Sequence, residues 1–153
     1  MKVRLATRDD LVAWCDSRTA LWPDADPREL RAEAEAHFAG GGLLQAVFVC
    51  EDGASRIVGM LELSCRPYAD GCVSSPVPYV EGWYVRPDSR RQGIGRALMN
   101  AAERWALAHG YSEIASDALI ENAVSERAHK TLGFEEVERV IHFRNSLQEK
   151  RGG

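Results

Sequence analysis

The chain passes from a hydrophobic strand into an amphipathic helix through the stretch VRPDSRRQGIGRAL, residues 85–98. A helix N-terminus offers N–H donors without intrahelical acceptors and a partial positive charge, and both attract phosphate. Gly93 and Gly95 carry no Cβ atom that would hold a phosphate away. Positive charge comes from Arg90, Arg91 and Arg96. The stretch predicts a turn that binds a pyrophosphate; the alternative is a tight strand-to-helix turn whose arginines are only solvated.

The same turn does not fit two common nucleotide motifs. A dinucleotide-binding turn needs a third glycine and a βαβ unit that opens the chain, and the sequence has neither. A Walker turn ends in Gly-Lys-Ser or Gly-Lys-Thr, which this stretch lacks. We therefore expect a different pyrophosphate-bearing cofactor.

The length of 153 residues favours one domain with one core. We expect this domain to span residues 1–144 and residues 145–153 to form a flexible tail. The net charge of -4 argues against nucleic-acid binding, which usually needs a basic face, and suits a cationic substrate. No apolar run is long enough to cross a bilayer and no secretory signal opens the chain. The expected protein is cytoplasmic, without a membrane partner.

Four cysteines, Cys15, Cys50, Cys65 and Cys72, show no Cys-x-x-Cys spacing. Without an export signal a disulfide framework is not expected, so they are predicted to be buried free thiols. A metal site would require two of them to meet a histidine by accident of folding, and no metal is predicted.

Hydrophobic periodicity and breaker residues predict an α+β fold in the order β-α-α-β-β-β-α-β-α-β. The predicted strands are Val3–Ala6, Gln45–Cys50, Ile57–Cys65, Tyr79–Val85, Glu113–Ser116 and Phe134–Phe143. The predicted helices run from Leu11 to Leu21, from Pro27 to Phe38, from Ile94 to Ala108 and from Asn122 to Leu132.

The pattern RxxGxG at residues 90–95, after a strand that ends in VxP at residues 85–87, resembles the acetyl-coenzyme A signature of the GNAT N-acetyltransferases. The superfamily is also resembled in three other features: Asn122, the segment LGF at 132–134 and the order of the elements. The resemblance implies a GNAT fold, a mixed, mainly antiparallel sheet that splays beside strand 79–85 and is flanked by helices. It also implies acetyl-CoA as the cosubstrate, held by Trp83, Val85, Arg90, Arg91, Gln92, Gly93, Gly95, Arg96, Asn122 and His129.

Segments spread over nearly the whole chain resemble the chromosomal, dimeric type of aminoglycoside 6'-N-acetyltransferase. They are LWP at 21–23, Tyr68, DGC at 70–72, SSP at 74–76, EG at 81–82, ASD at 115–117 and GFEEVERV at 133–140. Their joint occurrence in one order is more specific than the cofactor signature alone. The resemblance implies a homodimer that acetylates the 6'-amine of aminoglycosides and confers resistance to these antibiotics.

Acetyl transfer to an amine needs a neutral amine, because a protonated amine has no lone pair with which to attack. An alkyl ammonium has a pKa of about 10, so a carboxylate or a carboxylate-held water is needed to accept its proton. The resemblance places Asp117 at the usual position of this base and Glu81 among the acids that contact the substrate. The residues alone do not divide the roles of base and ammonium anchor between them. The simpler alternatives are a helix cap for Asp117 and a solvated strand-edge carboxylate for Glu81.

Trp22 and Tyr68 suit a polyamine sugar, since aromatic faces stack on sugar rings and attract ammonium groups. Their alternative is ordinary packing. The resemblance suggests that Glu136 also contacts the aminoglycoside, in a neighbouring subunit's site, and the alternative is a charged strand face shared with Glu135 and Glu138.

Backbone N–H groups near Val85 are expected to stabilise the developing oxyanion. Many superfamily members place a tyrosine acid five residues before the phenylalanine of Gly-Phe, and this chain has His129 at that position. Three roles stay open for His129: proton donor, cofactor contact or packing. A thiol has a pKa of about 8.5, so the leaving thiolate needs little help.

The sequence thus predicts direct attack of the amine on acetyl-CoA in a ternary complex, and a route through an acetyl-cysteine is the weaker alternative. Two other functions stay open, GNAT acetylation of a polyamine, amino acid or protein amine, and a non-catalytic acyl-CoA sensor. A sensor needs the phosphate turn but no base, so Asp117 and Glu81 favour an enzyme.

Overall fold

A computed structural model describes residues 1–148 of the chain. Its strands are β1 (Lys2–Leu5), β2 (Leu44–Glu51), β3 (Ile57–Arg66), β4 (Val77–Val85) and β5 (Ala115–Ser116). Its α-helices are α1 (Leu11–Leu21), α2 (Pro27–Phe38), α3 (Ile94–Ala108) and α4 (Ala123–Thr131). The chain divides into two compact units, Met1–Asp117, which holds the sheet, and the residues from Ala118 onward, which hold α4. The single domain expected over residues 1–144 stays a prediction.

The five strands form one mixed sheet in the order β1-β2-β3-β4-β5. The pairs from β1 to β4 are antiparallel, whereas β5 is parallel to β4. β5 pairs with β4 at two positions, Tyr79 with Ala115 and Val80 with Ser116, although β4 continues to Val85. The predicted sheet, mainly antiparallel and open beside this strand, is confirmed.

β4 contains a β-bulge at Glu81. Leu63 of β3 pairs with Val80, while the residue before it, Glu62, pairs with Gly82. Glu81 therefore has no residue opposite it in β3. Such an extra residue bends a strand and changes the face to which later side chains point.

The helices of the first unit pack on both faces of the sheet. Gly59 of β3 faces α3, since a Cβ atom there would lie 3.0 Å from Ile94. The next residue, Met60, is buried on the other face in a cluster with Trp14 of α1. Because successive side chains of a strand alternate between faces, three more residues of β3 share the face of Met60. These are Glu62, Ser64 and Arg66, and their side of the sheet is called the α1/α2 face below.

A buried ion pair joins α1 to the α1/α2 face. Arg18 Nε donates to Glu62 Oε1 at 2.7 Å, and the Trp14 indole N–H donates to the same oxygen at 2.7 Å. The Arg18 guanidinium also donates to the Leu30 carbonyl at 2.7 Å and to Glu33 at 2.8 Å. One arginine thus ties α1, α2 and β3 together.

Three helix boundaries lie where breaker residues predict them. α1 ends at Leu21, shortly before Pro23, and α2 begins with Pro27, whose missing N–H costs nothing in a first turn. α3 ends at Ala108 and is followed by Gly110 with a φ of 84°. Among the described residues, no helix is long and apolar enough to cross a membrane.

The prediction of a last strand at Phe134–Phe143 is wrong. Residues 134–146 adopt no regular secondary structure. A strand is stable only where its backbone groups pair with a neighbour, and none of the described strands pairs with this segment. Its apolar residues after Phe134 lie in solvent, with Val140 56% and Phe143 90% exposed. The alternation of apolar and charged residues indicated a strand but supplied no partner for it. Of the expected flexible tail, residues 149–153 lie outside the described residues.

Candidate functional site

The predicted phosphate turn is built by backbone geometry before α3. Gly93 is the N-cap residue and adopts the left-handed region with a φ of 78°, where a side chain would be strained. A Cβ atom at Gly93 would meet nothing within 4 Å, so the space beside this residue is open. The first N–H groups of α3 have no acceptor inside the helix. The turn therefore offers an accessible set of N–H donors with a partial positive charge.

The arginine and glutamine side chains at residues 90–92 and 96 lie in solvent. Arg90 Nε donates to the Val85 carbonyl at 3.1 Å, which ties the turn back to the end of β4. The side chains of Arg91, Gln92 and Arg96 are exposed. An anion at the turn can be approached by several guanidinium groups without burial of any of them.

Gly95 has a packing role that the sequence did not reveal. A Cβ atom there would lie 3.3 Å from Cζ2 of Trp83, and the Trp83 indole N–H donates to the Gly95 carbonyl at 3.2 Å. Trp83 pairs with Leu61 across the sheet and so faces α3. The small residue thus lets the first turn of α3 lie close to the indole.

Glu81 is held by two residues of β3 that sequence reasoning missed. Its Oε1 accepts from the Ser64 hydroxyl at 2.6 Å and from Arg66 Nε at 2.8 Å, and its Oε2 accepts from Arg66 Nη2 at 2.8 Å. Burial opposes ionisation of this carboxyl, but the hydrogen bonds from Arg66 and Ser64 outweigh it and lower the pKa of Glu81. Glu81 is a paired, half-buried carboxylate.

Asp117 follows β5 directly and is exposed. Its Oδ2 accepts from the Tyr79 hydroxyl at 2.7 Å, and its Oδ1 accepts no hydrogen bond from any described residue. Burial, followed by the hydrogen bond to Asp117, raises the pKa of the Tyr79 phenol, so Tyr79 is a proton donor in this contact. The Arg66 guanidinium carbon lies 3.6 Å from the centroid of the Tyr79 ring. Arg66 therefore contacts Glu81 and also Tyr79, the residue that donates to Asp117.

Trp22 lies against β4 beside Glu81. A Cβ atom at Gly82, next to Glu81, would lie 2.9 Å from Cη2 of Trp22, so the indole packs directly on the β4 backbone. The Arg18 guanidinium carbon lies 5.1 Å from the centroid of a Trp22 ring. Packing against the backbone is thus part of the role of Trp22, and it brings the residue to the α1/α2 face.

Tyr68 projects from the loop between β3 and β4, where it is 69% exposed and donates to Asp70 at 3.0 Å. Glu113, a residue that sequence analysis did not single out, anchors the loop. One oxygen of Glu113 accepts from the Val73 N–H at 2.9 Å, from the Ser74 N–H at 2.7 Å and from the Ser74 hydroxyl. These bonds, led by that from the Ser74 side chain, lower the pKa of Glu113.

The remaining predicted residues lie in the second unit. Asn122 is the N-cap of α4 and accepts from the Ser125 N–H at 3.1 Å. His129 Nδ1 donates to the Ser125 carbonyl at 2.7 Å, and its ring meets Phe134 edge to face at 5.3 Å. The Nδ1 proton is committed to the helix, because a carbonyl can only accept.

Glu136, also in the second unit, pairs with Arg139 and lies 3.6 Å from Lys130 Nζ. The hydrogen bond from Arg139 is the main cause that lowers the pKa of its carboxyl. The described residues contain no group of histidine, cysteine and acidic side chains that could hold a metal ion.

A model of the acetyltransferase (GNAT) family matches residues 10–134. The match covers most of the chain, and the resemblance predicted from the turn is confirmed. The chain belongs to the GNAT acetyltransferase family.

Within this family, the chain is similar to proteins that share one name. A Klebsiella aerogenes protein named aminoglycoside N(6')-acetyltransferase type 1 is 42% identical over 95% of this chain and 96% of its own length. The protein of the same name from Stenotrophomonas maltophilia is 41% identical over 95% of this chain and 94% of its own length. The solved structure of AAC(6')-Iy in complex with a CoA-S-monomethyl-acetylneamine bisubstrate analogue has a TM-score of 0.87 at 35% identity, covering 95% of this chain and 97% of that one.

Proposed function

We propose that this protein transfers the acetyl group of acetyl-CoA to the 6'-amine of aminoglycosides and so confers resistance to them. The observation that carries the proposal is the identity of 34–42% along nearly the whole chain to relatives named for this activity. The Trp22, Glu81 and Asp117 surface on the α1/α2 face adds an independent reason, since it combines an aromatic ring with carboxylates, as a polycationic sugar requires.

The residues of the phosphate turn fit the pyrophosphate of coenzyme A. The open space at Gly93, the first-turn N–H groups of α3 and the exposed Arg91 and Arg96 all suit an anion. Trp83 and Val85 lie on the strand that leads into the turn and are proposed to lie beside the pantetheine arm. The contacts of Asn122 and His129 with the cofactor stay predictions. When bound, acetyl-CoA supplies an acetyl thioester as the electrophile.

Asp117 is the better candidate for the base. Its Oδ1 accepts no hydrogen bond from the described residues and its side chain is exposed, so it can accept a proton from an ammonium group directly or through one water. Glu81 already accepts three hydrogen bonds, which favour its ionised form. We assign it to electrostatic attraction of the substrate, alongside the stacking surface of Trp22.

Direct attack by the amine is favoured over an acetyl-cysteine route. Burial raises the pKa of the Cys72 thiol, and the negative charge of Glu113 raises it further. A thiol that stays protonated is a poor nucleophile. The same holds for Cys15 and Cys50, where burial is again the main cause of the raised pKa.

A homodimer is proposed as the working form. The segment 134–146 has strand-like alternation without a strand partner, and it leaves Val137, Val140 and Ile141 at least 55% exposed. Burial of such residues against a second copy would remove apolar surface from water. Sedimentation equilibrium at micromolar concentration is expected to give twice the chain mass; a monomer there would contradict the proposal.

Glu136, in the segment 134–146, is proposed to reach the partner's substrate. The proposal places the protein in the cytoplasm and includes no nucleic-acid or membrane partner.

A thiol-release assay with acetyl-CoA tests the activity across kanamycin, spermidine and a lysine peptide. Turnover is expected with kanamycin, and NMR of the product should place the acetyl group on the 6'-nitrogen. Turnover with the peptide alone, or with spermidine alone, would assign the enzyme to another amine.

Asp117→Asn tests the base. The expected loss in kcat is about a hundredfold or more, with the Kd of CoA unchanged, because only proton removal is affected. Asp16→Asn is the matched control, since Asp16 is an exposed aspartate on α1. Equal losses in kcat and in CoA affinity would contradict the role of Asp117.

A further inference from the structure

We propose that Tyr79 is a positioning residue for Asp117, and that Arg66 links this pair to Glu81 so that the two acids act as one network. The inference rests on the proposed role of Asp117 as base. It concerns two side chains, Tyr79 and Arg66, that touch Asp117 and Glu81 respectively and touch each other.

The strand register explains why Tyr79 reaches Asp117. Tyr79 pairs with Ala115 across the parallel β4–β5 contact. Asp117 lies two residues beyond Ala115, so its side chain returns to the same face of the sheet. Neighbouring strands are about 4.8 Å apart and two residues advance about 6.6 Å, a diagonal that a tyrosine spans. The hydroxyl accordingly lies 2.7 Å from Oδ2 of Asp117.

Arg66 fixes the ring that carries this hydroxyl. Its guanidinium covers one face of Tyr79 at 3.6 Å from the centroid, and two hydrogen bonds to Glu81 hold it there. A planar guanidinium suits both contacts at once, because it stacks on the ring with its face and donates with its edge. The order of contacts is Glu81, Arg66, Tyr79, Asp117, all within the first unit.

The network gives Asp117 an orientation that its exposure alone would not provide. An exposed aspartate that directly follows a two-residue strand can rotate freely about its side-chain bonds. The Tyr79 hydroxyl selects the rotamer in which Oδ2 is occupied, and Oδ1 then points to the incoming amine.

Tyr79→Phe removes the hydroxyl and keeps the ring on which Arg66 stacks. We expect kcat for acetylation to fall about tenfold, a part of the full contribution of a general base. The Kd of CoA and the KM for the amine should both stay unchanged, so that the loss appears in kcat alone. Tyr111→Phe is the matched control, because the Tyr111 hydroxyl contacts the Cys65 thiol at 3.4 Å instead of a carboxylate.

A double-mutant cycle decides whether Tyr79 acts through Asp117. If it does, Tyr79→Phe has no further effect in the Asp117→Asn background. The inference would be overturned if the losses in kcat of the two single variants multiplied in the double variant, or if Tyr79→Phe lost affinity for CoA. The cycle is run with the amine that the thiol-release assay identifies. If kanamycin is not acetylated, the proposed substrate fails while the coupling between Tyr79 and Asp117 is still measured.

Discussion

The buried pair of Arg18 and Glu62 allows a sharp test of what holds the α1/α2 face together. Arg18→Met keeps the length of the side chain but removes the guanidinium. Glu62 then keeps the Trp14 indole as its one hydrogen-bond donor among the described residues. The Arg18 and Glu62 side chains are 5% and 0% exposed, so water does not reach the vacated oxygens.

The expected cost follows from this burial. Removing one partner of a buried ion pair destabilises a protein by about 3–5 kcal/mol, because the remaining charge is buried without compensation. For a chain of this size each 1 kcal/mol lowers Tm by about 2–4 °C, so Arg18→Met should lower Tm by roughly 6–20 °C. Adding Glu62→Gln removes the orphaned charge and keeps an oxygen for Trp14, so the double variant should regain at least half of the loss.

Urea unfolding followed by circular dichroism measures these free energies. Arg31→Met is the matched control: Arg31 pairs with Glu35 at 3.0 Å, but the two side chains are 52% and 54% exposed. An exposed pair of this kind contributes about 0.3–0.5 kcal/mol. If Arg18→Met loses no more stability than Arg31→Met, the reasoning from burial is refuted. If Glu62→Gln worsens Arg18→Met, the unpaired charge is not the cause.

Three further outcomes are expected. Gly82→Ala places a Cβ 2.9 Å from Trp22 and must displace the indole, so KM for kanamycin should rise roughly tenfold while the Kd of CoA, measured by calorimetry, stays constant. Cys72→Ala should keep kcat within about twofold in the thiol-release assay. Loss of turnover in this variant would favour the acetyl-cysteine route. Hydrogen bonds from Arg4 lower the pKa of Asp10, so the stability it adds is present above its unfolded pKa of about 3.9 and is lost as pH falls. Tm of the wild type should exceed that of Asp10→Asn at pH 7, and the difference should shrink as pH falls below about 3.9.

The turn proposed to bind coenzyme A was predictable because its signals are local. The left-handed Gly93, the start of α3 and the arginines around them lie within a few residues of one another. Helix boundaries at Pro27 and Gly110 followed from the same kind of short-range chemistry. Each of these features depends on residues that are neighbours in the sequence, so it can be predicted without knowledge of the tertiary contacts.

The contacts around the proposed base, Asp117, depend on strand register, which the sequence does not contain. Arg66 meets Glu81 across the pair of β3 and β4, and Tyr79 meets Asp117 across β4 and β5. Tyr79 stands two residues before Glu81 in a predicted strand, which could have marked it as a neighbour on the same face. The buried charge of Glu62 carried no such signal, since a glutamate in a strand is ordinarily solvated.

The bulge at Glu81 explains how one strand presents Glu81 and Trp83 to opposite faces of the sheet. Strict alternation would place Tyr79, Glu81 and Trp83 on one face of β4. The extra residue changes the phase, so Glu81 stays beside Ser64 on the α1/α2 face while Trp83 turns to α3 and lies against Gly95. The acids are thereby placed on one side of the strand and the indole beside the phosphate turn on the other. Pairing with β5 also stops at Val80, just before the bulge, so no described strand pairs with that edge of β4 from Glu81 onward.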